Sequence, residues 1–226
     1  MTSRFILALL VAAATHAADL ALGNVRVTTG TGSLAVTNAL ATGGDASYQD
    51  KLDITATSSN ARLAVTGASK GVPATAAGSV GVQAVTAGSL AGNLTLGFTS
   101  KALAGTTLAD VVLAGGSVAL TGAAYDYAQP TIASTLALGN RRVGATANLV
   151  VANTTRTAAA YQDSLDAAAT TTVGTLSLAN PANILAGKSG NVTVTAAKAG
   201  SLAGDVVLAL TSNANGVADL AATTAL

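Results

Sequence analysis

One unit of sequence occurs twice along this 226-residue chain, and the duplication constrains the fold more than any other feature. Residues 48–53 read YQDKLD and residues 161–166 read YQDSLD, 113 positions later. LALGN begins at Leu20 and again at Leu136, SLAVTN aligns with NLVVAN, and AGSLAG begins at Ala87 and again at Ala199. These matches keep one order along the chain, so we interpret the chain as two copies of one structural unit.

Apolar residues alternate with small or polar residues inside each copy. Val80 and Val82 in SVGVQA align with valines in NVTVTA, and NLTLGF aligns with DVVLAL. This period of two predicts strands with one buried face, separated by turn clusters such as TGTGS and ATGGDAS. Roughly seven short strands in a unit of this length are typical of an immunoglobulin-like sandwich. A parallel β-helix is the second architecture considered, but it would repeat at a much shorter period.

Composition narrows the classes of function. Charged residues make up only 9% of the chain and the net charge is +1, which argues against binding nucleic acid. Half of the residues are apolar and only 3% are aromatic, so the core must be built from Val, Leu and Ala. Cysteine is absent, so no disulfide framework is expected.

The N-terminus has the pattern of a signal peptide. Arg4 precedes the apolar run FILALLVAAA, and small residues at Thr15 and Ala17 predict cleavage before Ala18 or Asp19. The apolar run is far shorter than the ~20 residues that span a bilayer. A buried first strand is the alternative interpretation of this segment.

These features predict an all-β chain with two tandem immunoglobulin-like antiparallel β-sandwiches. The expected divisions are a signal peptide at residues 1–18, a first repeat at 19–128, a linker at 129–134 and a second repeat at 135–226. The second copy stops at Leu226 without a counterpart of GSVALTG, so it is expected to lack its last strand. Three explanations stay open: the chain is part of a longer repeat protein, its open strand edge accepts a strand from a partner, or the second copy closes in another way.

A family resemblance follows from STLALGNRRVGATANLVVANT at residues 134–154, from LALGNVRV with SLAVTN, and from GSVALTGAAYDYAQP at residues 116–130. These segments resemble the abnormal-spindle and Hydin-like (ASH) immunoglobulin domains, particularly the bacterial repeats of choice-of-anchor D proteins. Leu22 and Leu138 stand where that family often has Phe, and Thr28 stands where the second copy has Gly144. The resemblance implies exported, multi-repeat, noncatalytic modules and no particular ligand.

Candidate chemistry is sparse. The only histidine lies in the predicted signal segment, so catalysis through imidazole or thiol groups and zinc sites of the His and Cys type are not expected in the mature chain. We predict no enzyme and no cofactor; a deep pocket holding two carboxylates would be needed to reverse this. Asp45, Asp50 and Asp53 are weak calcium candidates, but no spaced calcium loop surrounds them. The repeated YQD motif is better explained as scaffold, with Asp binding turn amides and Tyr packing across the start of a strand.

The favoured function is therefore a structural spacer module of an exported bacterial cell-surface or extracellular protein. Its expected partners are further immunoglobulin-like repeats or cell-surface components, with strand exchange at the open edge of the second repeat. The alternative is an adhesion or carbohydrate-binding module. Tyr125 and Tyr127 are the first candidates for its ligand contacts, because they are two residues apart at the end of a strand and share one face.

Overall fold

The computed structural model describes residues 13–226, which form antiparallel strands and two single-turn 3₁₀ helices at Ala46–Tyr48 and Ala159–Tyr161. The predicted all-β class and its immunoglobulin-like sandwiches are confirmed. The chain divides into two compact units, the first made of residues up to Gly23, Thr28–Val85 and Ser89–Ala123, the second of Asn24–Val27, Thr86–Gly88 and Ala124–Leu226. Within the described residues, no helix has the length and apolar character needed to cross a membrane.

The first unit is built on two sheets. The first sheet has the order β1-β3-β6-β5, and the second has the order β2-β9-β8-β4 with β7 paired to β9. Its strands are β1 (Ala13–His16), β2 (Asp19–Arg26), β3 (Thr31–Ala39), β4 (Lys51–Ser58), β5 (Leu63–Ala68), β6 (Ala77–Ala84), β7 (Gly88–Ser89), β8 (Gly92–Lys101) and β9 (Val111–Tyr125). The ends of β2 and β9, from Asn24 and from Ala124, and Gly88 of β7 belong to the second unit.

The second unit repeats this plan. One sheet has the order β10-β11-β14-β13 and the other has the order β12-β15-β16. Its strands are β10 (Pro130–Ile132), β11 (Thr146–Asn153), β12 (Ser164–Thr171), β13 (Leu176–Ala179), β14 (Lys188–Ala196), β15 (Val206–Asn213) and β16 (Thr223–Ala225).

Alternation places one face of each long strand in a core. In β8, Leu94, Leu96 and Phe98 are buried while the residues between them are not. Core side chains of the second unit come from both of its sheets, which therefore pack face to face. They are small aliphatic residues, as the scarcity of aromatics predicts: Ala128, Leu149, Val151, Leu165, Ala167, Ala169, Ile184, Val192 and Val194.

Register identifies the equivalent strands of the two units. Leu34 pairs with Val80 between β3 and β6, and Leu149 pairs with Val192 between β11 and β14. By the same comparison β1, β3, β6 and β5 correspond to β10, β11, β14 and β13, while β4 and β8 correspond to β12 and β15.

The last strand of the second unit is present only at its start, and no described residues correspond to GSVALTG. Ser100 pairs with Val111 at the start of β9, and the equivalent Ser212 pairs with Thr224 of β16. β16 therefore occupies the position where β9 begins. It contains three residues, whereas β9 contains fifteen.

Two predicted connecting segments contain strands. Ala13–His16 lies within the predicted signal peptide and pairs with β3, with Thr15 opposite Thr37. Pro130–Ile132 lies within the predicted linker and pairs with β11 in the same way, with Thr131 opposite Ala152. These two edge strands correspond to each other and each completes a four-stranded sheet. Residues 1–12 of the predicted signal peptide lie outside the described residues, and its cleavage stays a prediction.

We expect Gly122→Ala to destabilise the first unit by about 1–3 kcal/mol. Gly122 has φ +134°, a conformation that favours glycine, and a Cβ there would lie 2.5 Å from the Gly23 oxygen. Gly67→Ala in β5 is the matched control, because no heavy atom lies within 4 Å of its Cβ position. Urea unfolding followed by circular dichroism measures both; equal midpoints would contradict the close approach of β9 to β2.

Candidate functional site

Buried polar residues at one end of the first sandwich form a hydrogen-bonded cluster that we call the polar clasp: Asn38, Gln49, Asp50 and Ser100. The Asn38 carboxamide donates to the main-chain oxygens of Asp50 at 3.1 Å and Val72 at 3.0 Å. Ser100 Oγ donates to Asp50 Oδ2 at 2.8 Å. Since Asn38 lies on β3 and Ser100 lies on β8, the clasp connects the two sheets.

Gln49 completes the clasp by binding the loop after β3. Its Nε2 donates to Asn38 Oδ1 at 2.9 Å and to the Ala39 oxygen at 2.8 Å. Its Oε1 accepts from the Ala41 amide at 3.0 Å. A buried carboxamide costs free energy unless its donors and acceptor are satisfied, and here they are.

The same six hydrogen bonds recur in the second unit, between residues at equivalent positions. This clasp consists of Asn153, Gln162, Asp163 and Ser212, all buried. The bonds run from Asn153 Nδ2 to the Asp163 and Ile184 oxygens (both 2.9 Å), from Gln162 Nε2 to Asn153 Oδ1 (2.9 Å) and the Thr154 oxygen (2.8 Å), from the Arg156 amide to Gln162 Oε1 (2.8 Å), and from Ser212 Oγ to Asp163 Oδ2 (2.6 Å).

The final aspartate of each YQD-x-LD motif binds a turn. Asp53 Oδ1 accepts from the Gly71 amide at 2.7 Å, and Asp166 Oδ1 accepts from the Asn183 amide at 2.6 Å. The aspartates thus bind turn amides as predicted, whereas Tyr48 is 70% exposed and does not pack across a strand. The roles of the buried glutamine and asparagine were not predicted. The sequence did mark both residues, because the glutamine recurs in YQD and the asparagine recurs at the end of SLAVTN and NLVVAN.

A buried ion pair joins the clasp of the second unit. The Arg26 guanidinium donates to both carboxylate oxygens of Asp163, at 2.9 Å each. It also lies 4.3 Å from the centre of the Tyr127 ring. A bidentate pair in a buried setting fixes geometry, and removing either partner would leave an uncompensated charge.

Asp126 is a second buried acid next to this ion pair. Its main-chain oxygen lies 3.4 Å from Arg26 Nη1, and its Oδ1 lies 4.0 Å from Arg156 Nε. Its Oδ2 accepts no hydrogen bond from the described residues.

The two tyrosines considered for ligand contact have intramolecular partners. Tyr125 is half-buried and its ring centre lies 5.6 Å from that of Tyr161. Tyr127 stays 38% exposed, with one side of its ring covered by Arg26.

The calcium candidates are not brought together. Asp45 accepts from the Ser47 amide at the start of a 3₁₀ helix, Asp50 is buried in the clasp, and Asp53 binds a turn. No group of three or more His, Cys, Asp or Glu side chains able to hold a metal occurs among residues 13–226.

One exposed ion pair has perturbed titration. A hydrogen bond from Lys101 lowers the pKa of Asp110, and the same bond raises the pKa of Lys101. Lys101 ends β8 and Asp110 directly precedes β9, and both side chains are solvated, so this pair joins the two ends of the connecting loop.

The second unit contains an open groove with a volume of about 920 Å³. Leu136, Leu138 and Arg141 line one wall, and Val206 and Leu208 of β15 line the other. Its lining includes one carboxylate residue, Asp205, so it does not provide the acid pair that glycoside hydrolysis would need.

These features define a tandem immunoglobulin-like β-sandwich protein whose repeated polar residues hold its own strands. No family model and no curated protein matches the chain, so the resemblance to ASH repeats stays a prediction. Domains 1–6 of the surface-layer protein SbsC are similar over 95% of this chain and 25% of that chain, at 14% identity and TM-score 0.30. The D0-D1 domain of intimin is similar over 94% of both chains, at 13% identity and TM-score 0.26.

The secreted serine protease VesC from Vibrio cholerae is similar over 80% of this chain and 45% of that chain, at 11% identity and TM-score 0.27. This chain thus spans 25% of the SbsC chain and under half of VesC. Scores this low carry no argument about function.

We expect Asn153→Ala to lower the free energy of unfolding of the second unit by about 3 kcal/mol, because it leaves several buried polar groups without a partner. Asn148→Ala is the matched control, on the same strand but exposed, and should change stability by less than about 0.5 kcal/mol. Urea unfolding of both variants tests this expectation; similar small losses would show that the clasp contributes little.

Proposed function

We propose that the chain is a noncatalytic structural spacer of an exported bacterial repeat protein at the cell surface. The observation that carries the proposal is the polar clasp, present with the same six hydrogen bonds in both units. The repeated YQD motif supplies the glutamine and the aspartate of each clasp, which hold strands and loops in place. A duplicated unit of this kind adds length and rigidity without adding chemistry.

Composition supports the same proposal. Low charge and scarce aromatics leave few side chains suited to catalysis or to recognition of a charged partner. The resemblance to choice-of-anchor D and ASH repeats agrees with an exported, multi-repeat protein, whose expected partners are further immunoglobulin-like repeats or cell-surface components.

Adhesion or carbohydrate binding is the second candidate function. Exposed tyrosines favour it, since sugar sites often use aromatic rings, and Tyr127 and Tyr48 are both exposed. The partial cover of Tyr127 by Arg26 reduces the ring area that a sugar could contact.

A spacer must resist extension, so the direct test is single-molecule force spectroscopy of the full chain pulled from its ends. We expect two separate unfolding events, each releasing about 300 Å, since roughly 100 residues extend by up to ~3.6 Å each. Asn153→Ala should lower the force of one event only, and Asn148→Ala should change neither.

Extension without discrete unfolding events would contradict a mechanical spacer role. Adhesion is tested separately on arrays of cell-wall and host glycans. Saturable binding that Tyr127→Ala or Tyr125→Ala abolishes would overturn the spacer proposal in favour of adhesion.

A further inference from the structure

The connection between β15 and β16 contains the single Asn-Gly pair of the sequence, Asn215 and Gly216. The Val217 amide donates to the Ala214 oxygen at 3.1 Å, which closes a four-residue turn. Asn215 has φ +53° and Gly216 has φ +75°, so both central residues are left-handed, as in a type I′ turn. Asn-Gly is a pair that this turn type favours, so the local sequence explains the turn.

An Asn-Gly pair also brings two reactive groups together. The main-chain nitrogen that follows an asparagine can attack the side-chain carbonyl carbon, because a five-membered ring results. Glycine permits this approach readily, since it has no Cβ to crowd the nitrogen or to restrict rotation of the backbone. The sequence therefore places a nucleophile next to an electrophile at Asn215.

Both groups are accessible at this turn. Asn215 and Gly216 are exposed, and the Gly216 amide donates no hydrogen bond to any residue between 13 and 226. Attack needs rotation about the Cα–C bond of Asn215, which opens the turn. One main-chain hydrogen bond closes the turn, so we expect it to open far more readily than the sandwich unfolds.

A buried hydroxyl group lies beside the Asn215 carboxamide. Ser164 Oγ is 3.2 Å from Asn215 Oδ1 and 3.0 Å from Nδ2, and Ser164 is 1% exposed at the start of β12. When it donates to Oδ1, this hydroxyl is placed to stabilise the negative charge that develops on that oxygen as a nitrogen adds to Cγ. Rotation about the Cα–C bond of Asn215 moves Gly216 and leaves this side-chain contact in place.

Asn183 provides a comparison within the same unit. It has the same φ as Asn215, +53°, and it is also exposed. The next residue is Ile184, which is β-branched and buried, and its amide already donates to the Leu165 oxygen at 2.9 Å. Asn183 therefore matches Asn215 in backbone φ and exposure but has no free nitrogen next to it.

We propose that Asn215 is a site of spontaneous covalent self-modification. The Gly216 nitrogen bonds to Asn215 Cγ, the Cγ–Nδ2 bond breaks, and ammonia leaves with the proton of the Gly216 amide. The resulting succinimide takes up one water molecule, and hydrolysis of either of its two carbonyl–nitrogen bonds gives aspartate or isoaspartate. Solvent water is the co-reactant, and nothing is oxidised or reduced. The site is independent of any mechanical role of the chain.

The products change this end of the second unit in two ways. Either product replaces the carboxamide beside Ser164 by a carboxylate. Asn213 connects this position to an existing acid, because its Oδ1 accepts from the Asn215 amide at 2.9 Å and its Nδ2 donates to Asp166 Oδ2 at 3.1 Å. Isoaspartate also lengthens the main chain by one carbon atom in the connection to β16. We therefore expect conversion to weaken the pairing of β16 with β15.

The test follows the full chain during incubation at mildly alkaline pH, with peptide mapping by mass spectrometry at intervals. Each conversion raises the mass of a peptide by about 1 Da, and chromatographic retention separates isoaspartate from aspartate. We expect conversion at Asn215 to be at least about tenfold faster than at Asn183, because the residue after Asn183 is β-branched and its amide is engaged.

The same chain unfolded in guanidinium chloride is the control for the folded turn. Conversion of Asn215 in the unfolded chain but not in the folded chain would overturn the proposal, because the turn would then protect the residue. Conversion of Asn183 as fast as Asn215 in the folded chain would overturn it as well. Hydrogen exchange at Thr223–Ala225 tests the structural effect: we expect faster exchange after conversion, and unchanged exchange would contradict the weakening of β16.

Discussion

Buried carboxamides impose the constraint on which both sandwiches depend. Asn38 and Asn153 lie at the ends of core strands, and their side chains need hydrogen-bond partners within the protein because burial removes them from solvent. Gln49 and Gln162 supply those partners and at the same time bind the loop that follows the strand. Each clasp therefore joins a strand of one sheet, the loop that follows this strand, and a strand of the other sheet by hydrogen bonds. These hydrogen bonds are directional contacts, which the packing of small aliphatic residues alone does not provide.

The two units share one strand arrangement but differ in the length of the strand that follows β8 and β15. With β9 in place, the leucines of β8 are fully buried and residues 19–26 form a strand beside it. Where only the first residues of that strand are present, the corresponding side chains of β15 are half-buried and the repeated LALGN is irregular. The second unit nevertheless keeps its clasp, its core and a four-stranded sheet. Strand order and the polar network are thus the same in both units, whereas burial of the leucines of the second sheet and the strand at LALGN are found only in the first.

Much of the fold was predictable because alternation and duplication are strong signals. The period of two in SVGVQA and NVTVTA marks β6 and β14, and the repeat distance separates the units. The edge strands β1 and β10 were harder to predict, since they are short and lie within segments that read as a signal peptide and a linker. Gln49 was missed because a glutamine before a strand carries no general structural meaning; only its three-dimensional partners give it a role. Arg26 was missed for the same reason, as 137 residues separate it from Asp163.

Hydrogen exchange of side-chain amides can show whether the repeated polar residues form equivalent internal scaffolds in both units. NMR of the native chain resolves the carboxamide protons of Asn38, Gln49, Asn153 and Gln162. We expect all four to exchange only when their unit opens, far more slowly than the carboxamide of the exposed Asn148. Exchange of the clasp carboxamides as fast as that of Asn148 would contradict this expectation.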